Sequence, residues 1–255
     1  MSQWNRAEKC IKLAETESSN LYLKNMLLDQ SLDDFSVVMA DYQTKGRGQM
    51  GNGWTSDRGD NLLFSILISP HFVKPTSQFI ISQAISVAMA KVLGIYTDDI
   101  KIKWPNDIYY KNNKIAGILI ENTLMGNTIE KSIIGVGLNV NQNIFPEFLV
   151  NPISLSNITG SRYSLDDMLD QIMDEFCKQY ALIERGKNQQ VVDEYMSMMY
   201  RFEPDSYYQF EDDQGGFIAR IVEVKPSGHI VMELVDTHAL RTYAFKEVRY
   251  ILSNE

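Results

Sequence analysis

The sequence predicts a mixed α/β scaffold carrying an anion-binding loop, followed by a small all-β unit. Three observations predict it. A basic, glycine-rich stretch, QTKGRGQMGNGWTSDRGDNLLFS from Gln43 to Ser65, joins two strand-like runs, and five of the 15 glycines fall between Gly46 and Gly59. Strand-like runs alternate with longer segments whose apolar residues recur every three or four positions. After Pro204 come five short runs, YYQF, FIARIVEV, HIVMELV, TYAF and VRYIL, punctuated by Asp-Gln-Gly-Gly, Pro-Ser-Gly and Asp-Thr-His. Regular short strands of this kind indicate a small β-barrel or sandwich. The boundary therefore falls between residues 1–204 and 205–255.

The elements follow in order. Between Lys9 and Glu17, Ile11 and Leu13 alternate with polar neighbours, as in a half-buried strand. Ser18, Ser19 and Asn20 then precede the amphipathic segment LYLKNMLLDQ, where they suit either a helix N-cap or a ligand contact. Ser36–Gln43 leads into the glycine loop as a strand, and Asn61–Ser69 leads out as another. A long helix starts at Pro75 and Thr76 and closes near Gly94, its apolar face suited to lie across a sheet. Lys101–Asn122 reads as a hairpin, with a Lys-Asn-Asn turn and a second strand running from Lys114 to Leu124. Gly126-Asn127 turns the chain into KSIIGVGLNVN, where Gly135 and Gly137 mark a close approach of backbone or ligand. Residues 142–160 read as irregular. Ser164 opens a helix to about Arg185 with a capping-box pattern, and a further helix spans about Asn188–Tyr200.

Composition narrows the function. The chain has 255 residues, 44% hydrophobic and 22% charged, enough for one large domain with a small appendage. No apolar run approaches a bilayer span, and the first residues, MSQWNRAEKC, lack the apolar stretch of a signal peptide. Cys10 and Cys177 are too few for a disulfide framework or a zinc site, and the cytoplasm is expected. A formal charge of −9 disfavours general nucleic-acid binding. His71, His229 and His238 stand at no metal-ligand spacing and beside no candidate nucleophile. Local positive charge is therefore informative, and it gathers in the glycine loop and between Lys101 and Lys114.

Gly46-Arg-Gly48-Gln-Met-Gly51 fits the dinucleotide fingerprint, but the loop continues through Trp54 into a strand. That fingerprint needs a helix opening at its last glycine, so the Rossmann assignment is rejected. What remains is a strand–loop–strand cradle whose exposed N–H groups, Lys45, Arg47 and Arg58 suit phosphate or carboxylate. With the WPND hairpin and GVGLNVN, the loop supplies anion-binding N–H groups, cations, an aromatic face and one carboxylate. Such a set suits a carboxylic acid meeting ATP, where positive charge screens two anions and then stabilises the transferred phosphorus. Asp107 fits an amine or metal contact, but taken alone an aspartate in a turn is more often an Asx-turn former, and Trp54 is by default a core residue. The residues alone stop at a nucleotide or anion site.

YQTKGRGQMGNGWTS, KWPNDIYYKNNKIAGILIE and GVGLNVN, in this order and spacing, closely resemble biotin protein ligases. The resemblance runs from Ser18 to Asn141 and more weakly into the C-terminal unit. It implies an α+β catalytic domain, a mixed sheet packed with helices as in class II aminoacyl-tRNA synthetases and biotin ligases, followed by an SH3-like β-barrel. It implies Mg²⁺-assisted adenylation of biotin by ATP, then transfer to a lysine of a biotin carboxyl carrier domain. On this resemblance Lys114, Arg47 and Asp107 are catalytic, Lys114 bridging carboxylate and α-phosphate and Asp107 facing the target lysine. Ser18, Ser19, Asn20 and Gln43 would contact the biotin ring and tail. Gly46, Arg47, Gly48 and Gln49 would close over the carboxylate and phosphate, and Gly117 would let backbone pass close to the ligand. Trp54 and Asn139 would flank or bond adenine, with Lys103 and Asn106 also on the nucleotide side. The metal ligands stay unassigned. Homodimers paired through sheet edges are compatible with the resemblance.

The chain departs from the family twice. Gln49 stands where some members carry a second loop arginine, which predicts looser retention of the adenylate. The first catalytic strand begins about ten residues in, so a preceding DNA-binding domain, and DNA binding, are not expected. Rivals are a lipoate ligase or octanoyltransferase of related fold and a non-catalytic biotin or nucleotide sensor. The tryptophan, WPND with its downstream Lys-Ile-Ala-Gly, and the C-terminal strands favour biotin. Lys114 and Arg47 favour catalysis over sensing.

Overall fold

A computed structural model of the protein describes residues 4–251, apart from the side chain of Met50. Its centre is a seven-stranded mixed sheet in the order β1-β2-β3-β7-β6-β5-β4. These strands are β1 (Cys10–Leu13), β2 (Val37–Ala40), β3 (Leu62–Ile68), β4 (Ile100–Lys103), β5 (Asp107–Tyr110), β6 (Asn113–Met125) and β7 (Thr128–Leu138). Only β1 and β2 run parallel; every other neighbour is antiparallel. The predicted hairpin of residues 101–122 is thus three strands, and β6 with β7 forms a longer one closed at Gly126.

Helix α3 (Phe79–Leu93), entered by a 3-10 turn at Pro75–Ser77, lies against one face of this sheet, as its periodicity predicts. Contrary to the expectation that no apolar run approaches a bilayer span, Pro75–Leu93 is long and apolar enough to cross a membrane, yet 72% of its most apolar window is buried inside the fold. It is a core helix, sealed by Ile81, Ala84, Ile85 and Ala88 and covered in turn by α5 (Leu165–Glu184) and α6 (Asn188–Ser197). The opposite face carries α2 (Ser19–Asp29), where Leu23 packs with Val38, Leu67 and Ile133 in a small second core. That core covers only part of the face. The remainder, over β6 and β7, is left for the cleft described below.

Several expectations change in detail. Ser18 is the N-cap residue of α2 by position, but its side chain makes no capping bond. Ser164 does cap α5, accepting from the Asp167 N–H at 3.2 Å. Two short helices lie where none is predicted: α1 (Arg6–Lys9), capped by Asn5, and α4 (Leu155–Thr159) inside the stretch expected to be irregular. Neither is long enough to show a 3.6-residue period. Ser154 and Asn157 hold α4 through a reciprocal capping box.

The C-terminal strands are β8 (Tyr208–Asp212), β9 (Gly215–Val224), β10 (Ile230–Leu234), β11 (Leu240–Tyr243) and β12 (Arg249–Tyr250). All five expected runs are found, although Leu252 of the last lies outside the described residues. They form one antiparallel sheet in the order β11-β10-β9-β8-β12. The spacing predicts a small barrel or sandwich and the resemblance an SH3-like barrel; among the described residues the two edges are not paired with each other, and the sheet is antiparallel and not closed. The sheet is fastened to the rest of the chain around Trp104, whose Nε1 donates to Gly228 O at 2.8 Å and whose ring meets Phe245 edge-on. Cys10 and Cys177 are free thiols, each pushed up to about 11 by burial, and so protonated at neutral pH.

Candidate active site

The cleft lies on the β6–β7 face and encloses about 670 Å³ of empty space, part of it open to solvent. Its floor exists because side chains are missing from it. Gly117 and Gly137 face each other across the ladder, and Gly135 faces Leu119. A Cβ on Gly137 would overlap the Trp54 indole, and one on Gly135 would overlap the Asn20 amide. Those two glycines, expected to mark a close approach, make room for the residues that line the site.

Residues Gly117, Leu119 and Glu121 point to this face at a spacing of two, which spans roughly 13 Å along the strand. Around one end sits a buried polar cluster. Gln43 Oε1 accepts from the Ser19 N–H at 2.7 Å and from Ser19 Oγ at 3.1 Å. Ser65 Oγ lies 2.7 Å from Ser19 Oγ and 2.5 Å from Asn20 Oδ1. Asn20 Nδ2 donates to Glu121 Oε2 at 2.8 Å, and the same oxygen accepts from Arg47 Nη2 at 2.7 Å. Ser19 and Asn20 thus turn inward from the first turn of α2. Starting a helix and lining a site are both done here, by different atoms.

At the other end Lys114 Nζ lies 2.7 Å from Asp107 Oδ1 and 5.8 Å from the centre of the Trp54 ring. Asp107 lines the cleft directly, while a second carboxylate, Glu121, borders it through its bonds to Asn20 and Arg47. Trp54 Nε1 is buried without a hydrogen-bond partner among them. The glycine loop holds its shape by a bridge between Arg47 and Gly53 and by Gly48 N donating to Asn52 O. Gly46 is pressed against the Trp54 carbonyl, where a Cβ has no space.

Twelve of the expected site residues line this cleft together: Ser18, Ser19, Asn20, Gln43, Arg47, Gly48, Gln49, Trp54, Asn106, Asp107, Lys114 and Gly117. Three do not. Gly46 supports the loop from behind. Asn139 is buried, with Nδ2 donating to Ile153 O at 3.2 Å, which ties β7 to the segment before α4. Lys103 occupies the adjoining groove, 3.0 Å from the Tyr109 hydroxyl and over the Tyr109 and Tyr250 rings. Burial lowers its ammonium from 10.5 to about 8, against the opposing pull of Asp107. Two of the loop's cations also serve elsewhere, Lys45 pairing with Glu17 and Arg58 with Glu15 at the surface. Among the loop's cations only Arg47 lines the cleft.

Sequence reasoning missed Ser65, Glu121 and Phe245. Phe245 comes from the turn between β11 and β12 and closes one side of the cleft. Ser65 is fully buried inside an otherwise apolar β3 run, a pattern that signals a bound polar partner. Glu121 carries no such signal, because single acids are common on strands that face solvent.

A mixed sheet carries a glycine-floored cleft with a polar cluster at one end and a Lys–Asp pair at the other. The matching family is described as the biotin/lipoate A/B protein ligase family, over residues 10–139. The chain belongs to that family. It is 34% identical over 169 residues to the bifunctional ligase/repressor BirA of Bacillus subtilis, covering 64% of this chain and 51% of that protein. The human biotin–protein ligase is 34% identical over 158 residues, 59% of this chain and 22% of the relative. This chain thus spans about half the length of the first of these relatives or less. The biotin–[acetyl-CoA-carboxylase] ligase of Paracoccus denitrificans is 26% identical over 179 residues, 68% of this chain and 73% of that one. A solved biotin protein ligase from Aquifex aeolicus, in complex with biotin and ATP, superposes with a TM-score of 0.78 at 22% identity. That match covers 96% of this chain and 100% of the other.

Proposed function

We propose that this protein is an ATP-dependent, AMP-forming biotin–protein ligase. The observation that carries the proposal is the convergence of three separated motifs on one cleft, with the polar cluster and Lys114–Asp107 at opposite ends of a glycine floor. In the first step an oxygen of the biotin carboxylate attacks the α-phosphorus of ATP, and pyrophosphate leaves. In the second the ε-amine of a lysine attacks the acyl carbon, AMP leaves, and the amine loses a proton.

The residues divide accordingly. Ser18, Ser19, Asn20 and Gln43 hold the ring and tail of biotin, with Gly117 allowing the close approach. The backbone of Gly46 and Gly48, with Arg47 and Gln49, covers the carboxylate. Lys114 stands between carboxylate and α-phosphate and opposes the charge that builds there. Trp54 supplies an aromatic face for adenine, with Asn106 and Asn139 bordering the nucleotide side and Lys103 reaching it from the next groove. Asp107, already paired with Lys114, is placed to take the approaching ammonium of the target lysine. Among the described residues no group of three or more His, Cys, Asp or Glu side chains converges to hold a metal. Mg²⁺ accompanying ATP would supply charge neutralisation at the phosphates, and no residue of the chain is assigned to hold it.

The acceptor is proposed to be a biotin carboxyl carrier domain of a biotin-dependent carboxylase, the setting cytoplasmic, and edge-paired dimers compatible with the fold. Residues 1–204 are assigned to catalysis. Residues 205–255 are assigned to an SH3-like unit that contributes Phe245 to the cleft wall. The test is mass spectrometry of the pure protein with Mg-ATP and biotin, lipoate or octanoate in separate reactions. Biotinyl-adenylate formed from biotin alone supports the proposal. Lipoyl- or octanoyl-adenylate instead would transfer the same chemistry to the rival acids. Biotin binding without any adenylate would favour a sensor.

A further inference from the structure

Glu121 closes the KWPNDIYYKNNKIAGILIE motif and has no role among those that the resemblance implies. It lies on β6 two residues beyond Leu119, on the cleft face, with its side chain 32% exposed. Through one oxygen, Oε2, it holds two groups from different elements: Arg47 Nη2 of the glycine loop at 2.7 Å and Asn20 Nδ2 of α2 at 2.8 Å. Arg47 is the loop cation that lines the cleft, since Lys45 and Arg58 pair with acids at the surface. Paired with Glu121, Arg47 presents little net charge to an incoming anion. A substrate carboxylate or phosphate therefore gains the full attraction of Arg47 only by taking the place of Glu121. The two acids offer the guanidinium the same planar acceptor, so one replaces the other without a new binding geometry.

We propose that Glu121 is a positioning residue that occupies Arg47 as an internal counter-anion until the anionic group of the substrate replaces it. Before binding, the pair keeps the glycine loop against the sheet. On binding, the exchange frees Arg47 for the ligand, while Asn20 keeps its contact with Glu121. The cost of displacing Glu121 falls on anionic ligands alone; a neutral ligand of the same shape leaves the pair in place. This inference rests on the proposal that the cleft binds a carboxylic acid for activation.

The test compares wild type with Glu121→Gln by calorimetry, using biotin and the corresponding alcohol in which CH₂OH replaces the carboxylate. Glu121→Gln removes the competing charge and keeps the size and the amide-accepting oxygen. Biotin is expected to bind Glu121→Gln roughly two- to fivefold more tightly, the range set by a part-exposed ion pair. The alcohol is expected to bind both proteins alike, and the gain for biotin disappears in Arg47→Ala/Glu121→Gln. Weaker biotin binding, or equal shifts for acid and alcohol, would overturn the exchange and leave a structural role. A second readout needs no ligand. Trypsin should cut after Arg47 several times faster in empty Glu121→Gln than in empty wild type, with cutting elsewhere unchanged as the control. Equal rates would defeat the inference whatever the substrate. Wild type that binds neither biotin nor its alcohol would instead defeat the biotin proposal; lipoate and lipoamide then replace the pair in the same comparison.

Discussion

The cleft and the C-terminal sheet are both rich in charged and polar side chains, and they use them in opposite ways. In the C-terminal sheet the clusters around Asp212 and Glu233 are closed on themselves, while the buried Tyr250 hydroxyl has no hydrogen-bond partner among the described residues. Asp212 accepts from Arg241 at 3.0 Å, from the Tyr243 hydroxyl at 2.8 Å and from the Gln214 N–H at 2.9 Å. Glu233 accepts from Arg220 through two nitrogens and lies 2.8 Å from His238 Nδ1. These groups have their partners already, and their work is to hold β8, β9, β10 and β11 together. In the cleft the bonding is incomplete. Lys114 has a single carboxylate beside it, Trp54 Nε1 is buried without a partner among the described residues, and Arg47 uses one nitrogen on Glu121. Density of charge does not separate a site from a scaffold. Bonding capacity left unused, beside space that glycines keep open, does.

The contrast breaks hardest at Lys114. Lys114→Ala should lower adenylate formation by at least ~100-fold, the scale of losing a charge aimed at a developing anion. Mass spectrometry of the adenylate and a melting curve check it; near-normal turnover would remove Lys114 from its role. Trp54→Ala comes next. It should raise KM for ATP roughly tenfold and more than KM for biotin, as expected when a stacking face of ~1–3 kcal/mol is lost. The reverse ranking would place the indole with the acid.

Gly137→Ala tests the floor without touching a polar group. The new methyl overlaps the Trp54 indole and should displace it at a cost of about 1–3 kcal/mol. A shift in tryptophan emission, together with a raised KM for ATP, is the expected result; unchanged emission would mean that the floor yields instead.

Lys103 separates the two regions by pH. Its folded-state value is near 8 because of burial, below the 10.5 of the exposed side chain. Between these values the unfolded chain binds the extra proton, so stability contributed by this group rises with pH across the window and is lowest below 8. Wild type should therefore gain on Lys103→Met in urea midpoint from pH 8 to 10.5. A constant difference would contradict the buried ammonium. The smallest effect belongs to the C-terminal sheet: Arg220→Ala should lower Tm slightly and leave adenylate formation unchanged. A loss of turnover there would mean that the closed clusters also serve the cleft.

Legibility in the sequence followed the range of the interactions. The glycine loop, the WPND hairpin and GVGLNVN each act through neighbouring residues, and their composition shows it. Gly135 and Gly137 were legible for the same reason, since a glycine in an apolar strand implies that something must approach it closely. Lys103 and Asn139 stand in the right motifs, but register and packing turned them to an adjoining groove and to Ile153 O. Ser18 has the chemistry of a cap and does not cap.

The sequence by itself determined the longer strands and helices, though not α1, α4 or the split of the 101–122 hairpin into three strands, and it determined that one basic loop precedes one apolar strand and that the chain carries the family's three motifs. Periodicity, turn chemistry and glycine placement are local, and they survive without a partner. Only the tertiary structure decided that β6 lies beside β7, so that Gly117 meets Gly137 and Trp54 can lie over both. It also brought Ser65, Glu121 and Phe245 to the cleft and left the C-terminal sheet open. Those outcomes depend on strand pairing across tens of residues, where a shift of one position turns every side chain to the other face.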